Sequence, residues 1–270
     1  MAEPDFFAST FGTLSRFSWR NRHLGPLTDA LFDLRLRLNP ARRALRRAAT
    51  QGPACRVLIA MVEVPGREAE TARVLNGLAR SRHQVEFATI RMAERGKFDN
   101  INAALEGRDL DAYDWLIVTD DDITTPDGLL DTCLHLAAKG DLKIFQPAHC
   151  FHSYTTFKLT HRQWNRLARV THFVESGPLT GFHRDMVARL LPFPSMRWGW
   201  GLDVYWSEIA RAEGWKIGII DAIPIRHLRP IANAYGFFTA MDEARAFLRR
   251  QGIDRPKEDV LRTVQPISAR

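Results

Sequence analysis

A continuous apolar run, Val57-Leu58-Ile59-Ala60-Met61-Val62, constrains the fold of this chain more than any other stretch. Such a run is typical of a strand that is covered on both faces, as in a parallel sheet. Further strands are predicted over residues 85–92, 115–118, 143–146 and 216–220, with helical patterns between them. This alternation predicts an α/β fold with a single doubly wound, mainly parallel sheet and helices on both of its faces.

The chain divides by composition into three parts. Residues 1–50 are predicted to form a basic helical extension, in which Asn39-Pro40 separates two helical patterns. The first pattern has one apolar face, formed by Leu27, Leu31, Leu34 and Leu38. The second pattern is crowded with arginines, so the extension is either a membrane-surface segment or a solvated helix pair packed on the main domain. Residues 51–255 form the predicted main domain, and residues 256–270 a loose tail.

Charge and cysteine content narrow the class of protein. The 270 residues carry a formal net charge of +7, which favours anionic partners such as nucleotide diphosphates or an acidic membrane face. No recognisable RNA- or DNA-binding motif is present, so nucleic acid is not an expected partner. The 3 cysteines are far apart and form no CxxC pair, which suits a reducing compartment. Without a signal-peptide pattern or a membrane-spanning run, we expect a cytoplasmic protein, either free or peripheral on the inner face of the membrane.

Three adjacent aspartates, Asp120, Asp121 and Asp122, follow the predicted strand 115–118. Neighbouring carboxylates repel one another, and a divalent cation would relieve that repulsion. In an extended segment Asp120 and Asp122 point the same way, so both can face one ligand while Asp121 faces another. The alternative is an exposed acidic turn.

An aromatic turn, Trp198-Gly199-Trp200-Gly201-Leu202-Asp203, precedes a helix predicted over residues 204–213. Tryptophan faces suit the stacking of a sugar, and a carboxylate near a helix start is favoured in its ionised form. The alternatives are core tryptophans and an aspartate that only caps the helix. With His227 after the last predicted strand, we expect the aspartates, this turn and the histidine to converge on one metal-dependent transferase site.

Several of these segments together resemble nucleotide-sugar glycosyltransferases of the GT-A fold. Residues 115–129 look like the strand, DxD motif and proline of those enzymes, and Gly96-Lys97-Phe98-Asp99-Asn100-Ile101-Asn102 resembles the G-K-x-x-x-x-N stretch of family 2. Residues 199–227 are similar to the closing block of family 2, and Trp198-Gly199-Trp200-Gly201 to the W-G-W-G turn of beta-1,4-galactosyltransferases. The resemblance spans roughly residues 55–230 and implies a GT-A-like catalytic domain that uses Mn²⁺ or Mg²⁺.

The resemblance also implies roles for individual residues. Metal binding is expected at Asp120, Asp122 and His227, although Asp120 could instead meet the ribose of the donor. Donor binding is expected at Glu63, Lys97, Asn102, Asp120 and Asp121, with Lys97 near the phosphates. Acceptor binding is expected at Glu175, Trp198 and Trp200. Asp203 would be the general base that takes the proton of the acceptor hydroxyl.

The sequence departs from the family patterns at two points that affect the assignment of Asp203 as the general base. Many family 2 enzymes have Glu-Asp where this chain has Leu202-Asp203. In an ungapped match to the galactosyltransferase turn, Asp203 falls on the acid that handles the acceptor, and Val204 on the catalytic acid. Inverting and retaining transfer therefore both stay open.

The expected function is that of a metal-dependent hexosyltransferase in polysaccharide or glycoconjugate biosynthesis, with a glycan, lipid-linked or small-molecule acceptor. A nucleotidyltransferase is an alternative. Such an enzyme normally has a glycine-rich basic loop after its first strand, and this chain has Glu63-Val64-Pro65-Gly66-Arg67 there, which disfavours that alternative. A binding protein is the other alternative: a basic membrane or nucleic-acid adaptor with a vestigial transferase site, favoured by the arginine-rich residues 1–50.

Overall fold

The computed structural model describes residues 19–230 and 236–267. Of the predicted extension and tail, residues 1–18 and 268–270 lie outside these ranges. Within the described ranges, no helix combines the length and the apolar character needed to cross a membrane.

Eight strands form one sheet. They are β1 (Arg56–Glu63), β2 (Gln84–Arg91), β3 (Trp115–Thr119), β4 (Leu142–His149), β5 (Ala168–Thr171), β6 (Leu179–His183), β7 (Lys216–Ile225) and β8 (Thr263–Ile267). Their order across the sheet is β2-β1-β3-β6-β4-β7-β5-β8. Six of the strands run in one direction, and only β5 and β6 run the opposite way. The predicted mainly parallel sheet is thus confirmed.

Helices cover both faces of this sheet. They are α1 (Trp19–Leu38), α2 (Pro40–Gln51), α3 (Glu68–Ala79), α4 (Lys97–Leu105), α5 (Leu129–Gly140), α6 (Arg184–Leu190), α7 (Leu202–Ala212), α8 (Phe237–Arg250) and α9 (Lys257–Val260). Alternate side chains of β1 enter two separate cores, Leu58 on one face and Ile59 on the other. The first core includes α4, α6, α7 and α8, and the second includes α2, α3 and α5. This two-sided burial explains why β1 is apolar without interruption.

Two features of the sheet differ from the sequence pattern. The antiparallel strands β5 and β6 were not among the predicted strands, because neither reads as an apolar run. β5 carries Arg169, which is fully buried and pairs with Asp221 of β7 at 3.0 Å. β6 carries Gly181, where the ring of Phe145 occupies the space that a side chain would need. Both strands therefore depend on contacts with distant residues rather than on a local hydrophobic pattern.

The C-terminal residues also differ from the expected loose tail. Lys257–Val260 is a short helix, and Thr263–Ile267 is the edge strand β8, which pairs with β5. Only Ile267 of this strand is buried, and its side chain packs against Gly140. A strand with a single buried residue has no alternating pattern to reveal it. Its Pro266 is tolerated because the strand lies at the sheet edge.

Candidate active site

The aspartate segment and the histidine segment lie side by side at the end of β3. Ile123 and His227 form an isolated antiparallel bridge, and the backbone N–H of Leu228 donates to the carbonyl of Asp122 at 2.8 Å. On the other side, the backbone N–H of Asp120 donates to the carbonyl of Pro178 at 2.8 Å. Backbone pairing thus fixes Asp122 next to His227 although they are far apart in sequence.

Three side chains of these segments could hold a metal ion. One ligand atom from each of Asp120, Asp122 and His227 lies within 4.8 Å of the others. Nε2 of His227 is 3.1 Å from a carboxylate oxygen of Asp122. Burial by itself lowers the pKa of His227, but the hydrogen bond and charge of Asp122 outweigh it and raise that pKa. Nδ1 of the same ring is buried and has no hydrogen-bond partner among the described residues.

A pocket of about 240 Å³ opens beside this cluster. It brings together seven of the residues expected from the sequence, namely Lys97, Asp120, Glu175, Trp198, Trp200, Asp203 and His227. Nζ of Lys97 lies 2.6 Å from Oδ1 of Asp120. The pocket therefore places a cation, a carboxylate cluster and aromatic faces around one space.

Asp203 lies in the wall of this pocket and not at the cap of α7. The N-cap residue is Gly201, in a left-handed conformation with φ 89°, and Asp203 lies in the first turn of α7, so Asp203 is not the N-cap residue. Asp203 is buried, and its Oδ1 accepts the N–H of Val204 at 2.9 Å. Burial, together with the negative charge of Glu175, raises the pKa of Asp203 to about 7, against backbone hydrogen bonds that include those of Val204 and Ser176.

Glu175 lies in the same wall, on a network of its own. Its carboxylate lies 3.5 Å from Nε2 of His149 and accepts hydrogen bonds from the N–H of Thr156 and the hydroxyl of Thr160. Its backbone N–H donates to the side-chain oxygen of Gln146. Burial alone raises the pKa of Glu175, but the interaction with His149 outweighs burial and lowers it. Glu175 is therefore held ionised near Asp203.

The aromatic turn is held by a residue that the sequence did not indicate. The carboxylate of Glu243, in α8, accepts the backbone N–H groups of Arg197 at 2.7 Å and of Trp198 at 2.8 Å. Trp198 and Trp200 are half-buried and face the pocket. A lone glutamate in a C-terminal helix gives no local signal, since its role exists only through this long-range contact.

Gly96, which precedes Lys97, packs closely against the backbone of Met196. A side chain at Gly96 would come within 1.8 Å of the carbonyl oxygen of Met196, just before the turn. Gly96 thus lets the start of α4 pack directly on the segment that leads to Trp198. This contact explains the glycine of the G-K-x-x-x-x-N stretch in structural terms.

Four expected site residues lie outside the lining of this pocket. Asp122 does not line the pocket but contacts His227, which does. Asp121 pairs with Arg67 at 3.3 Å. Burial, assisted by the charge of Asp122, raises the pKa of Asp121. Glu63 is the half-buried last residue of β1, at the carboxyl end of that strand. The amide of Asn102 donates to the carbonyl of Phe193 at 2.8 Å and accepts its N–H at 2.9 Å, so this side chain is occupied by the protein backbone.

Comparison with known proteins supports the fold and leaves the activity open. No protein-family model and no curated protein matches the sequence. Among solved structures, residues 1–349 of S. aureus TarS in complex with UDP-GlcNAc share 11% identity at a TM-score of 0.52, over 76% of this chain and 68% of that one.

Two further structures are similar at lower scores. Glucosyl-3-phosphoglycerate synthase from Mycobacterium tuberculosis, in complex with Mn²⁺, UDP and phosphoglyceric acid, shares 12% identity at a TM-score of 0.49, over 85% of this chain and 92% of that one. The catalytic domain of Drosophila beta1,4-galactosyltransferase 7, in complex with xylobiose, shares 13% identity at 0.46, over 71% and 81%. The chain has the GT-A fold of nucleotide-sugar glycosyltransferases, as its sequence motifs predict.

Proposed function

We propose that this protein is a glycosyltransferase that moves a sugar from a nucleotide-diphosphate donor to an acceptor hydroxyl with the help of a divalent cation. One observation carries the proposal: Asp120, Asp122 and His227 come together beside Lys97, at a pocket whose wall contains the buried carboxyl of Asp203. The two carboxylates of this cluster repel each other unless a cation compensates them, and titratable groups gathered at a pocket are typical of functional sites.

The residues of the cluster fit a divalent cation. The two carboxylates offer the oxygen ligands that Mn²⁺ and Mg²⁺ prefer, and a ring nitrogen of His227 lies within 4.8 Å of both. When bound, the cation would offset the negative charge that grows on a departing diphosphate. Asp120, Asp122 and His227 would hold it. Deprotonation of His227 would accompany binding, because a metal ligand must be neutral imidazole.

Lys97 binds the donor phosphates in this proposal. Its Nζ is held at the pocket by Asp120. A diphosphate offers it a stronger anionic partner, and a fixed cation beside the leaving group stabilises the charge developing there. The complex of TarS with UDP-GlcNAc supports a uridine nucleotide as the first donor to test. Glu63 and Asp121, at the same end of the sheet, remain proposed donor contacts, whereas the contacts of Asn102 favour a structural role.

Asp203 is the proposed general base, and Trp198 and Trp200 the acceptor platform. A base works best when its pKa lies near the working pH, and a carboxyl with a pKa of about 7 satisfies this condition. Half-buried indole faces suit the apolar face of a sugar. The acceptor is a glycan, a lipid-linked compound or a small molecule, with Glu175 close enough to the pocket to contact it. The free thiols of Cys55, Cys133 and Cys150 support a cytoplasmic location.

Ligand-dependent thermal stability tests the proposal. We expect Mn²⁺ and UDP together to raise the melting temperature by more than the sum of their separate effects. A ligand that binds only the folded protein adds RT ln(1 + [L]/Kd) to the free energy of unfolding, which is on the order of a few kcal/mol at saturation. Asp122→Ala should lose this joint effect. Asp127→Ala is the matched control, because that side chain is 85% exposed a few residues along the chain.

A panel of nucleotide sugars, assayed for Mn²⁺-dependent donor hydrolysis, identifies the sugar and the base of the donor. A joint effect of metal and nucleotide that Asp122→Ala retains would contradict the metal assignment. Absence of any stabilisation across the nucleotide panel would contradict the transferase proposal and favour a binding protein.

A further inference from the structure

Helix α1 is docked on the rest of the protein through its acidic side. The carboxylate of Asp29 accepts the backbone N–H groups of Phe151 and His152, each at 2.9 Å. The buried guanidinium of Arg162 lies 2.8 Å from Asp33 and 3.5 Å from Asp29. Phe32 packs edge-on against Phe151, with ring centroids 5.0 Å apart. The orientation of α1 about its own axis is therefore fixed by directional contacts.

The opposite side of α1 carries exposed leucines. Their exposed fractions are 45% for Leu24, 64% for Leu27, 60% for Leu31, 55% for Leu34 and 61% for Leu38. At 3.6 residues per turn, these five positions form one stripe on the side opposite Asp29. A helix of a globular protein normally turns its leucines to the core, whereas in α1 Leu36 is the only buried leucine and these five leucines face outward.

At 3.6 residues per turn, Arg35 and Arg37 flank the leucine stripe on its two sides, whereas Arg22 lies on the side of Asp29. Exposed arginines of α1 and α2 are Arg22, Arg35, Arg37, Arg43, Arg46 and Arg47. The only acidic residues between positions 19 and 51 are Asp29 and Asp33, and both pair with Arg162 on the docked side. Leu45 of α2 is buried in the same core as Leu36 of α1, and Asn39, between the two helices, caps α2. The outer face of the two helices thus combines exposed apolar and cationic groups.

We propose that this outer face of α1 and α2, called the leucine–arginine face, binds an anionic membrane surface. Leucines would enter the boundary between lipid headgroups and acyl chains, and the flanking arginines would meet lipid phosphates. Charge complementarity selects this partner over a second copy of the chain. In a twofold contact the same patch meets itself, so the arginines of one copy would face those of the other. This inference is independent of the transferase proposal, because it concerns binding and not turnover.

Vesicle flotation with the full chain tests the inference. We expect it to float with vesicles of phosphatidylcholine and phosphatidylglycerol, to float less with phosphatidylcholine alone, and to dissociate as salt is raised. Leu27→Gln/Leu31→Gln/Leu34→Gln should abolish flotation. Val264→Gln is the matched apolar control, since Val264 is 52% exposed on β8 and away from this face.

A charge variant separates the two contributions. Arg43→Gln/Arg46→Gln/Arg47→Gln should lower the partition coefficient for anionic vesicles on the order of a hundredfold. Arg249→Gln/Arg250→Gln, at the exposed end of α8, should leave it unchanged. Circular dichroism checks that each variant is folded, as expected for substitutions at exposed positions.

Two results would overturn the inference. One is equal flotation of the unchanged protein with neutral and anionic vesicles. The other is wild-type flotation of the leucine variant. If light scattering instead shows a dimer that the leucine variant abolishes, and no vesicle binding occurs, the face is a contact between copies and the inference is wrong.

Discussion

At the scale of single residues, the buried carboxyl of Asp203 carries the sharpest prediction. Asp203→Asn keeps the size of the side chain and one oxygen that can accept the N–H of Val204. Loss of general-base help costs roughly a hundredfold to ten-thousandfold in rate, so we expect transfer to slow at least a hundredfold. The variant should still bind Mn²⁺ and donor together. Transfer within a few-fold of the unchanged protein would remove Asp203 as the base and turn attention to Glu175 and a retaining mechanism.

The same residue makes stability depend on pH. Its pKa is about 7 in the folded chain and 3.8 in an ordinary environment, so between these values the folded chain keeps a proton that the unfolded chain has lost. The free energy of unfolding therefore falls as the pH rises from about 4 to about 7, and this group has no further effect above that range. Asp203→Asn has no such proton to lose.

We therefore expect Asp203→Asn to become more stable, relative to the unchanged protein, as the pH rises from about 4 to about 7. The gain is at most about 4 kcal/mol, for a pKa raised by about 3 units. Urea unfolding of both proteins at each pH measures it. Parallel stability curves for the two proteins would show that the carboxyl is not buried as described.

The positions of most candidate site residues could be predicted from the sequence, but the contacts that their side chains make could not. Asp120 and His227 stand next to strands, so their positions follow from the topology of a parallel sheet. Asn102 matches a motif in sequence, yet its amide is used by the backbone of Phe193. Glu243 matches no motif, because what it does depends on a turn 45 residues away. Sequence patterns locate such residues but do not show what their side chains contact.

At the scale of elements, α8 supports the aromatic turn. We expect Glu243→Ala to leave the N–H groups of Arg197 and Trp198 without their carboxylate and to loosen the turn. The Michaelis constant for acceptor should rise, while joint binding of Mn²⁺ and donor should stay unchanged. The cost in stability is about 1–3 kcal/mol. Asp242→Ala is the control, since that neighbour is 75% exposed and pairs within its own helix. If both variants had the same Michaelis constant for acceptor, the aromatic turn would have no role in acceptor binding.

Helix α4 offers a test of the expected donor contact at Asn102. Asn102→Ala removes both hydrogen bonds to Phe193, whose backbone N–H and carbonyl then lack a partner in a buried place. We expect a loss of about 1–3 kcal/mol in the free energy of unfolding, with donor affinity close to that of the unchanged protein. Urea unfolding and calorimetric titration with UDP and Mn²⁺ measure the two quantities. Unchanged stability with lost donor binding would instead support the donor contact.

Strands that are apolar throughout could be predicted, and strands with polar interiors could not. β1 and β3 lie in the middle of the sheet with helices above and below, so burial shows directly in their composition. β5 holds Arg169 inside the sheet, where Asp221 and the carbonyl of His161 satisfy its guanidinium. A prediction from the neighbouring sequence alone would place that arginine at the surface. Buried ion pairs of this kind hide strands from any pattern based on hydrophobicity.

At the scale of the whole molecule, α1 and the main domain are joined by charge. Asp29→Ala would remove an acceptor for two backbone N–H groups and one of two partners of the buried Arg162. We expect a loss of about 3 kcal/mol in the free energy of unfolding, since a buried cation would lose part of its compensation. Asp127→Ala, at an exposed site, is the control and should change stability by less than about 0.5 kcal/mol. Equal stability of both variants would mean that α1 adds nothing to the fold.

The arrangement of Arg162 makes the N-terminal helix difficult to lose. If the chain were shortened to begin at Asn39, Arg162 would lose both of its carboxylates, and the backbone N–H groups of Phe151 and His152 would lose their acceptor. Over evolutionary time, a lineage that discarded α1 would also have to replace Arg162, and neither change is tolerated well before the other. The helix and the main domain are therefore expected to be inherited as one unit, so that related chains keep or lose the acidic pair and the arginine together.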